Sequence, residues 1–162
     1  MTLHILTTGG TIDKIYFDAK SDYTVGEPMI ADILRASGAL IDFEVTQLFQ
    51  KDSLEITDED RDQIVQVVRD SPHRHFIITH GTDTMVETQD ALASVVEDKV
   101  VVLVGSLSPA RFKGTDAEFN IGVALGAVQT LPPGAYITMN GRVFKPGTVR
   151  KNRGANRFED AR

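Results

Sequence analysis

Two hydroxyl-bearing turns carry the chemistry this chain advertises: Thr7-Thr8-Gly9-Gly10-Thr11-Ile12 and His80-Gly81-Thr82-Asp83-Thr84-Met85. A third stretch, Val149-Arg150-Lys151-Asn152, adds a lysine. Each turn follows a short apolar run of strand character and sets a threonine among glycines. A threonine hydroxyl is a weak nucleophile and needs an adjacent base. Lysine serves in its neutral form, which burial or nearby positive charge favours; Arg150 and Arg153 beside Lys151 act in that direction. Two threonines, an aspartate and a lysine are the parts needed to attack an amide carbonyl without metal or cofactor. Backbone N–H groups at glycine turns and helix starts supply oxyanion donors.

Each motif also has a plainer reading. Gly-Gly-Thr after a strand is a tight turn, and it lacks the spaced glycines of a dinucleotide fingerprint. Thr82 or Asp83 serves equally as the cap of a following helix. A lysine in a basic tail is ordinarily solvated. The four histidines are scattered, His73 and His75 read as surface residues, and no pair has metal-ligand spacing, so no metal is expected.

The elements that must position these residues alternate in type. Strand candidates are Leu3–Leu6, Phe43–Phe49, Phe76–Thr79, Val100–Val104 and Ala135–Thr138. The first, third and fourth lack polar alternation, as for parallel strands covered on both faces. Helix candidates lie near Met29–Ser37, Asp58–Asp70, Thr84–Glu97 and Asp116–Gln129. Thr57 and Asp60 form an acidic capping box for the second, Ile64, Val65 and Val68 its apolar stripe, and Pro72 its stop. Ile121, Ala124, Leu125 and Val128 make the buried face of the fourth. There Gly122 and Gly126 lower helix propensity, and are expected to permit close approach of a neighbour. The alternation predicts a single domain over 1–162: a three-layer α/β fold, Rossmann-like, with a mainly parallel twisted sheet flanked by helices and right-handed crossovers. Ligands of such sheets bind beyond the carboxyl ends of the strands, where Thr8–Thr11, Thr79–Asp83 and Gly105–Ser108 fall. Two segments read as irregular: Gly9–Pro28, long enough for a lid, and Asn140–Arg162, a basic tail.

A chain of 162 residues with 41% hydrophobic and 25% charged content suits one globular core. A net charge of −6 argues against a nucleic-acid surface. The lack of cysteine excludes disulfides, thiolate metal sites and a cysteine nucleophile. With no leader and no apolar run near the ~18 residues of a membrane span, a cytoplasmic protein without membrane partner is expected.

Together these segments resemble the bacterial-type L-asparaginase family, on both threonine motifs and on Ser21–Gly26, Asp52-Ser53, Val104–Ser106 and Phe119-Asn120. The resemblance runs to about Arg153. It implies hydrolysis of L-asparagine to L-aspartate and ammonia through a threonine acyl-enzyme, with no cofactor. It makes Thr11 the primary nucleophile and Tyr23, on a closing loop, the group that polarises it. Thr82, Lys151 and Asp83 become the second threonine–lysine–aspartate set, with Thr82 alternatively orienting the attacking water. Asp83 binds the substrate α-amino group, Ser53 the α-carboxylate, and Ser106 joins the substrate-binding rim. The N–H groups of Gly10 and Thr82 form the oxyanion hole. Lys145 is the alternative to Lys151, because a variable loop precedes both. The family's usual second domain, which completes a neighbouring subunit's site, falls outside the 162 residues, so the chain reads as either a naturally short form or a fragment. The short form is the expectation, with a high KM and assembly as a homo-oligomer (dimer or tetramer), and with Arg150, Arg153 and Arg157 as candidates to shape the site. The rival readings are a non-catalytic or regulatory amino-acid-binding module, and an amidase for another amide such as glutamine.

Overall fold

A computed structural model describes residues Met1–Ala161; Arg162, the last residue of the expected domain and tail, lies outside the described residues. Six strands form the main sheet: β1 (Thr2–Gly9), β4 (Asp42–Lys51), β5 (His75–Thr79), β6 (Val100–Val104), β7 (Gly134–Met139) and β8 (Arg142–Phe144). Their order is β4-β1-β5-β6-β7-β8. All neighbours are parallel except the β7–β8 pair.

The apolar runs behave as their lack of alternation requires. β1, β5, β6 and β7 are buried along nearly their whole length, because helices cover both faces. Side chains point alternately to the two faces of a strand. Leu3, Ile5, Ile77, Val102 and Val104 therefore pack on one side, against α1 (Ile30–Ala36) and α4 (Ala117–Thr130). Leu6, Phe76, Ile78, Val101 and Leu103 pack on the other, against α2 (Asp58–Asp70) and α3 (Met85–Ala93). This is the expected three-layer α/β architecture.

Local signals set the helix ends. Thr57 and Asp60 form the reciprocal capping box of α2, and Ser71, held extended before Pro72, ends it. The third helix is shorter than its pattern and stops at Ala93, ahead of the β-branched pair Val95-Val96. The two glycines of α4 do not serve close packing: Gly122 and Gly126 are exposed and face open space.

Both segments read as irregular carry hairpins. Within Gly9–Pro28, β2 (Lys14–Phe17) and β3 (Asp22–Val25) form an antiparallel hairpin, with the Tyr16 and Tyr23 rings crossed edge to face at 5.4 Å. In the tail, Asn140 and Gly141 both take positive φ, 54° and 73°, the requirement of a two-residue hairpin turn; they join β7 to β8. β9 (Val149–Asn152) and β10 (Arg157–Asp160) then pair antiparallel. Val149 and Phe158 bury this second hairpin against the α2/α3 side of the sheet. Two apolar anchors are enough to dock a segment that is otherwise basic.

Candidate active site

The loops at the carboxyl ends of β1, β4 and β5 touch, and glycine is what lets them. A Cβ on Gly10 would lie 2.5 Å from both Cα and N of Gly81. A Cβ on Gly81 would lie 2.5 Å from Ser53 Cβ. Neither space admits a methyl group. The two turns read from sequence are thus stacked, with Thr11 following one glycine and Thr82 the other. Ser53 is stitched to the second turn, since its Oγ accepts from Asp83 N at 3.1 Å and its carbonyl accepts from Thr84 Oγ1 at 2.7 Å. Beneath them His80 is fully buried. Its Nδ1–H donates to Gly81 O at 2.7 Å, leaving Nε2 to accept from the Thr88 hydroxyl at 2.9 Å. Burial pushes His80 down to about 4, so a neutral ring braces the turn.

Lys151 reaches this rim from β9. Val149 and Lys151 share the inward face of the strand by alternation. Lys151 Nζ donates to Thr82 Oγ1 at 2.7 Å and to Asp83 Oδ1 at 2.8 Å. Lysine 151, and not the exposed Lys145, is the one brought to Thr82. The hydrogen bond from Lys151, helped by Arg153, holds the Asp83 carboxyl below its ordinary range. Arg153 Nε lies 3.4 Å from the same carboxylate. Arg150 turns the other way, to Glu159 at 2.6 Å. The flanking arginines therefore meet carboxylates instead of converging on Lys151 as like charges.

Thr11 and Tyr23 meet on a different footing. With Lys14, Pro109 and Phe112 they line an open cavity of about 330 Å³. Thr11 is half-buried, and no side chain among the described residues hydrogen-bonds to its hydroxyl. Tyr23 is 47% exposed, its ring 5.8 Å from that of Phe112. The hairpin carrying it is fastened at its base. Asp13 Oδ1 accepts from Met29 N at 2.9 Å, and Asp13 O accepts from Gly26 N at 2.8 Å. Arg111 adds bonds to the carbonyls of Asp13 and Glu27. Lys14 pairs with Asp52 at 2.7 Å, linking hairpin and Ser53 loop. Burial pushes Asp13 up to about 7 against the opposing Met29 N–H, and its Oδ2 has no partner among the described residues. Burial also acts to raise Asp52, but the hydrogen bonds from Lys14 and Leu54 outweigh it and hold that carboxyl low.

Two expected substrate contacts are differently engaged. The Gly10 N–H donates to Lys51 O at 2.9 Å, which fastens the turn to β4 and occupies the expected oxyanion donor. The N–H groups of Thr11 and Thr82 have no acceptor among the described residues. Ser106 is buried, with its hydroxyl donating to Ser108 O inside its own loop. That loop is held from α4 by Asp116, which accepts from the N–H groups of Leu107 and Ser108, and by Asn120, which donates to Gly105 O at 3.0 Å. Asp13, Lys14 and Asp116 escape the sequence reading. Only Asp116, an acid just ahead of a helical pattern, leaves a local signal.

The carboxyl rim of this α/β sheet thus rests on two stacked threonine turns. The chain belongs to the family described as Asparaginase, N-terminal, whose model matches residues 2–159. It is 32% identical over 168 residues to an L-asparaginase of Thermococcus kodakarensis, covering 98% of this chain and 51% of that protein. It is 31% identical over 160 residues to a glutaminase-asparaginase of Acinetobacter glutaminasificans, covering 91% and 48%. The solved structure of the thermostable L-asparaginase from Thermococcus kodakarensis superimposes with a TM-score of 0.85 at 29% identity, covering 99% of this chain and 51% of that one. The chain thus spans about half the length of the relatives it matches. No helix among the described residues is long and apolar enough to cross a membrane.

Proposed function

We propose that this chain hydrolyses the side-chain amide of L-asparagine to L-aspartate and ammonia through an ester on Thr11. The observation that carries the reading is the Lys151–Thr82–Asp83 cluster, set against the Thr11 turn through the Gly10–Gly81 contact. Membership of the asparaginase family supports the choice of substrate.

In the first step Tyr23 closes over the cavity and polarises the Thr11 hydroxyl. Thr11 Oγ1 attacks the amide carbon, and its proton travels to the departing nitrogen, which leaves as ammonia. In the second step water, oriented by the Thr82 hydroxyl that Lys151 holds in place, cleaves the ester to aspartate, its proton passing to the Thr11 oxygen to regenerate Thr11. Asp83, kept ionised by Lys151 and Arg153, receives the substrate α-ammonium, and Ser53 receives the α-carboxylate. The developing oxyanion draws on the N–H groups of Thr11 and Thr82, in place of the engaged Gly10 donor. Such donors contribute about 10²–10³ in rate each. On the same family likeness we place the protein in the cytoplasm as a dimer or tetramer, which sedimentation velocity tests.

A glutamine-directed amidase is the second reading, favoured by the likeness to a glutaminase-asparaginase. One methylene separates the two substrates, a difference of about 1–3 kcal/mol in pocket fit. The experiment is ammonia release from L-asparagine and L-glutamine in parallel. Turnover favouring asparagine supports the proposal, and turnover favouring glutamine supports the second reading. Saturable amino-acid binding without ammonia release would leave a binding module.

A further inference from the structure

The amino edge of the sheet, at the far end of β1 from Thr11, gathers a second cluster. His4 lies on β1 beside Glu44 of β4 in parallel register, and His73 comes from the loop leading into β5. His73 Nε2 is 2.6 Å from Glu44 Oε1, and His4 Nδ1 is 3.8 Å from the same oxygen. One ligating atom from each of the three residues can be chosen so that all lie within 4.8 Å of one another. The rings of His4 and His73 stand 5.0 Å apart, centroid to centroid, and Phe76 packs against both.

His4 is 8% exposed, and its two nitrogens have different circumstances. Nε2 is 2.9 Å from Thr46 Oγ1, and we assign it as the protonated nitrogen, donating to that hydroxyl. Nδ1 then carries a lone pair. It is buried, has no hydrogen-bond partner among the described residues and faces a carboxylate oxygen that is itself an acceptor. The Nε2–Thr46 bond thus leaves the Nδ1 lone pair available. A lone pair facing a carboxylate across 3.8 Å, with a second imidazole alongside, is a donor set suited to a cation. An outer hydrogen bond that fixes the imidazole tautomer is the usual support of a metal-binding histidine, and Thr46 supplies it.

We propose that His4 Nδ1, His73 Nε2 and a Glu44 carboxylate oxygen bind one zinc-class divalent ion, with water in a fourth position. Metal bonds of about 2.0–2.2 Å in tetrahedral geometry place ligand atoms about 3.3–3.6 Å apart. The His4–Glu44 spacing already approaches this. The His73–Glu44 contact widens by about 1 Å as the ion enters between them, a small motion for a Glu44 side chain that is 52% exposed. Two imidazoles and one carboxylate favour zinc, nickel, cobalt or copper over magnesium and calcium, which take mainly oxygen ligands. The cluster lies about 20 Å along β1 from Thr11. Its effect is therefore structural: the ion ties edge strand β4 and the loop before β5 to β1. No spacing in the sequence reveals it, since His4, Glu44 and His73 are joined only by strand pairing.

The test is calorimetric titration of zinc chloride into chelator-treated, tag-free protein, alongside His73→Ala, Glu44→Gln, Thr46→Val and His75→Ala. The expected result is one zinc per chain, with affinity at least ~10-fold weaker in His73→Ala and Glu44→Gln and about 10–100-fold weaker in Thr46→Val. Binding to His75→Ala should be unchanged, and excess magnesium should not compete. Zinc should also raise the melting temperature of the parent and not of His73→Ala. His4→Ala is left out because a buried strand residue risks the fold. A parent that binds no zinc, or His73→Ala and Glu44→Gln proteins that bind it as the parent does, would overturn the proposal.

Discussion

The two threonines sit in turns that touch, yet they are held in opposite ways. Thr82 is 5% exposed and bonded to Lys151, whose partner Asp83 is in turn bonded to Ser53. Thr11 is half-buried beside an open cavity, facing a tyrosine on a hairpin. One half of the rim is already tied together by hydrogen bonds, and the other stands open. In the proposed reaction this division suits the two tasks. The closing half admits substrate and forms the ester, and the fixed half handles the water that cleaves it. Closing loops complete a site and exclude solvent in this way.

The largest effect should come from emptying either half. Thr11→Val and Thr82→Val should each cut turnover by at least ~10³-fold with the fold unchanged by circular dichroism, and Lys151→Met should match Thr82→Val. Lys145→Met should keep parental activity, because Lys145 is exposed and away from Thr82. An inactive Lys145→Met would break the assignment of the fixed half. Next comes Tyr23→Phe, which tests the closing half alone. A loss of about 10²-fold in kcat is expected if its hydroxyl polarises Thr11, with thermal stability unaltered because the side chain is substantially exposed.

Gly81→Ala probes the contact between the halves. Its methyl would overlap Ser53, so a stability loss of about 1–3 kcal/mol in chemical denaturation is expected. An Ala variant as stable as the parent would mean that the turns are not packed as described. The smallest effect concerns Asp13, at the base of the hairpin. Its folded-state value of about 7 lies above the ordinary carboxylate range, so the folded protein holds a proton that the unfolded chain releases. Stability should therefore decline as pH rises from about 4 to about 7 and level off above that. Asp13→Asn should remove this part of the slope in melts across that range; an unchanged slope would contradict it.

The two regions also differ in how far the sequence exposes them. Thr11, Thr82 and Asp83 could be singled out because they sit in short turns directly after apolar strands, where local pattern and chemistry coincide; Ser53 entered only through the family resemblance. The buried strands and the Thr57–Asp60 cap of α2 were legible for the same local reason. The hairpins were not. The Asn140-Gly141 turn carried a strong local signal, masked by the basic residues after it. β9 and β10 depend on Val149 and Phe158 finding a core formed by distant segments. Gly122 and Gly126 show the opposite error, a local feature credited with a packing role that the fold does not give it. Asp13 and Lys14 act through partners distant along the chain, Met29 and Asp52, and pairings of that kind leave no period to read.

The central claim is that the acyl group is carried by Thr11 and not by Thr82. The direct measurement is acid quenching of the protein during turnover of L-asparagine, followed by peptide mapping by mass spectrometry, with the slow-deacylating Lys151→Met variant in parallel. The account predicts an aspartyl ester on the peptide containing Thr11, more abundant in the variant relative to its turnover rate. An ester on the peptide containing Thr82, with Thr11 unmodified, would contradict it.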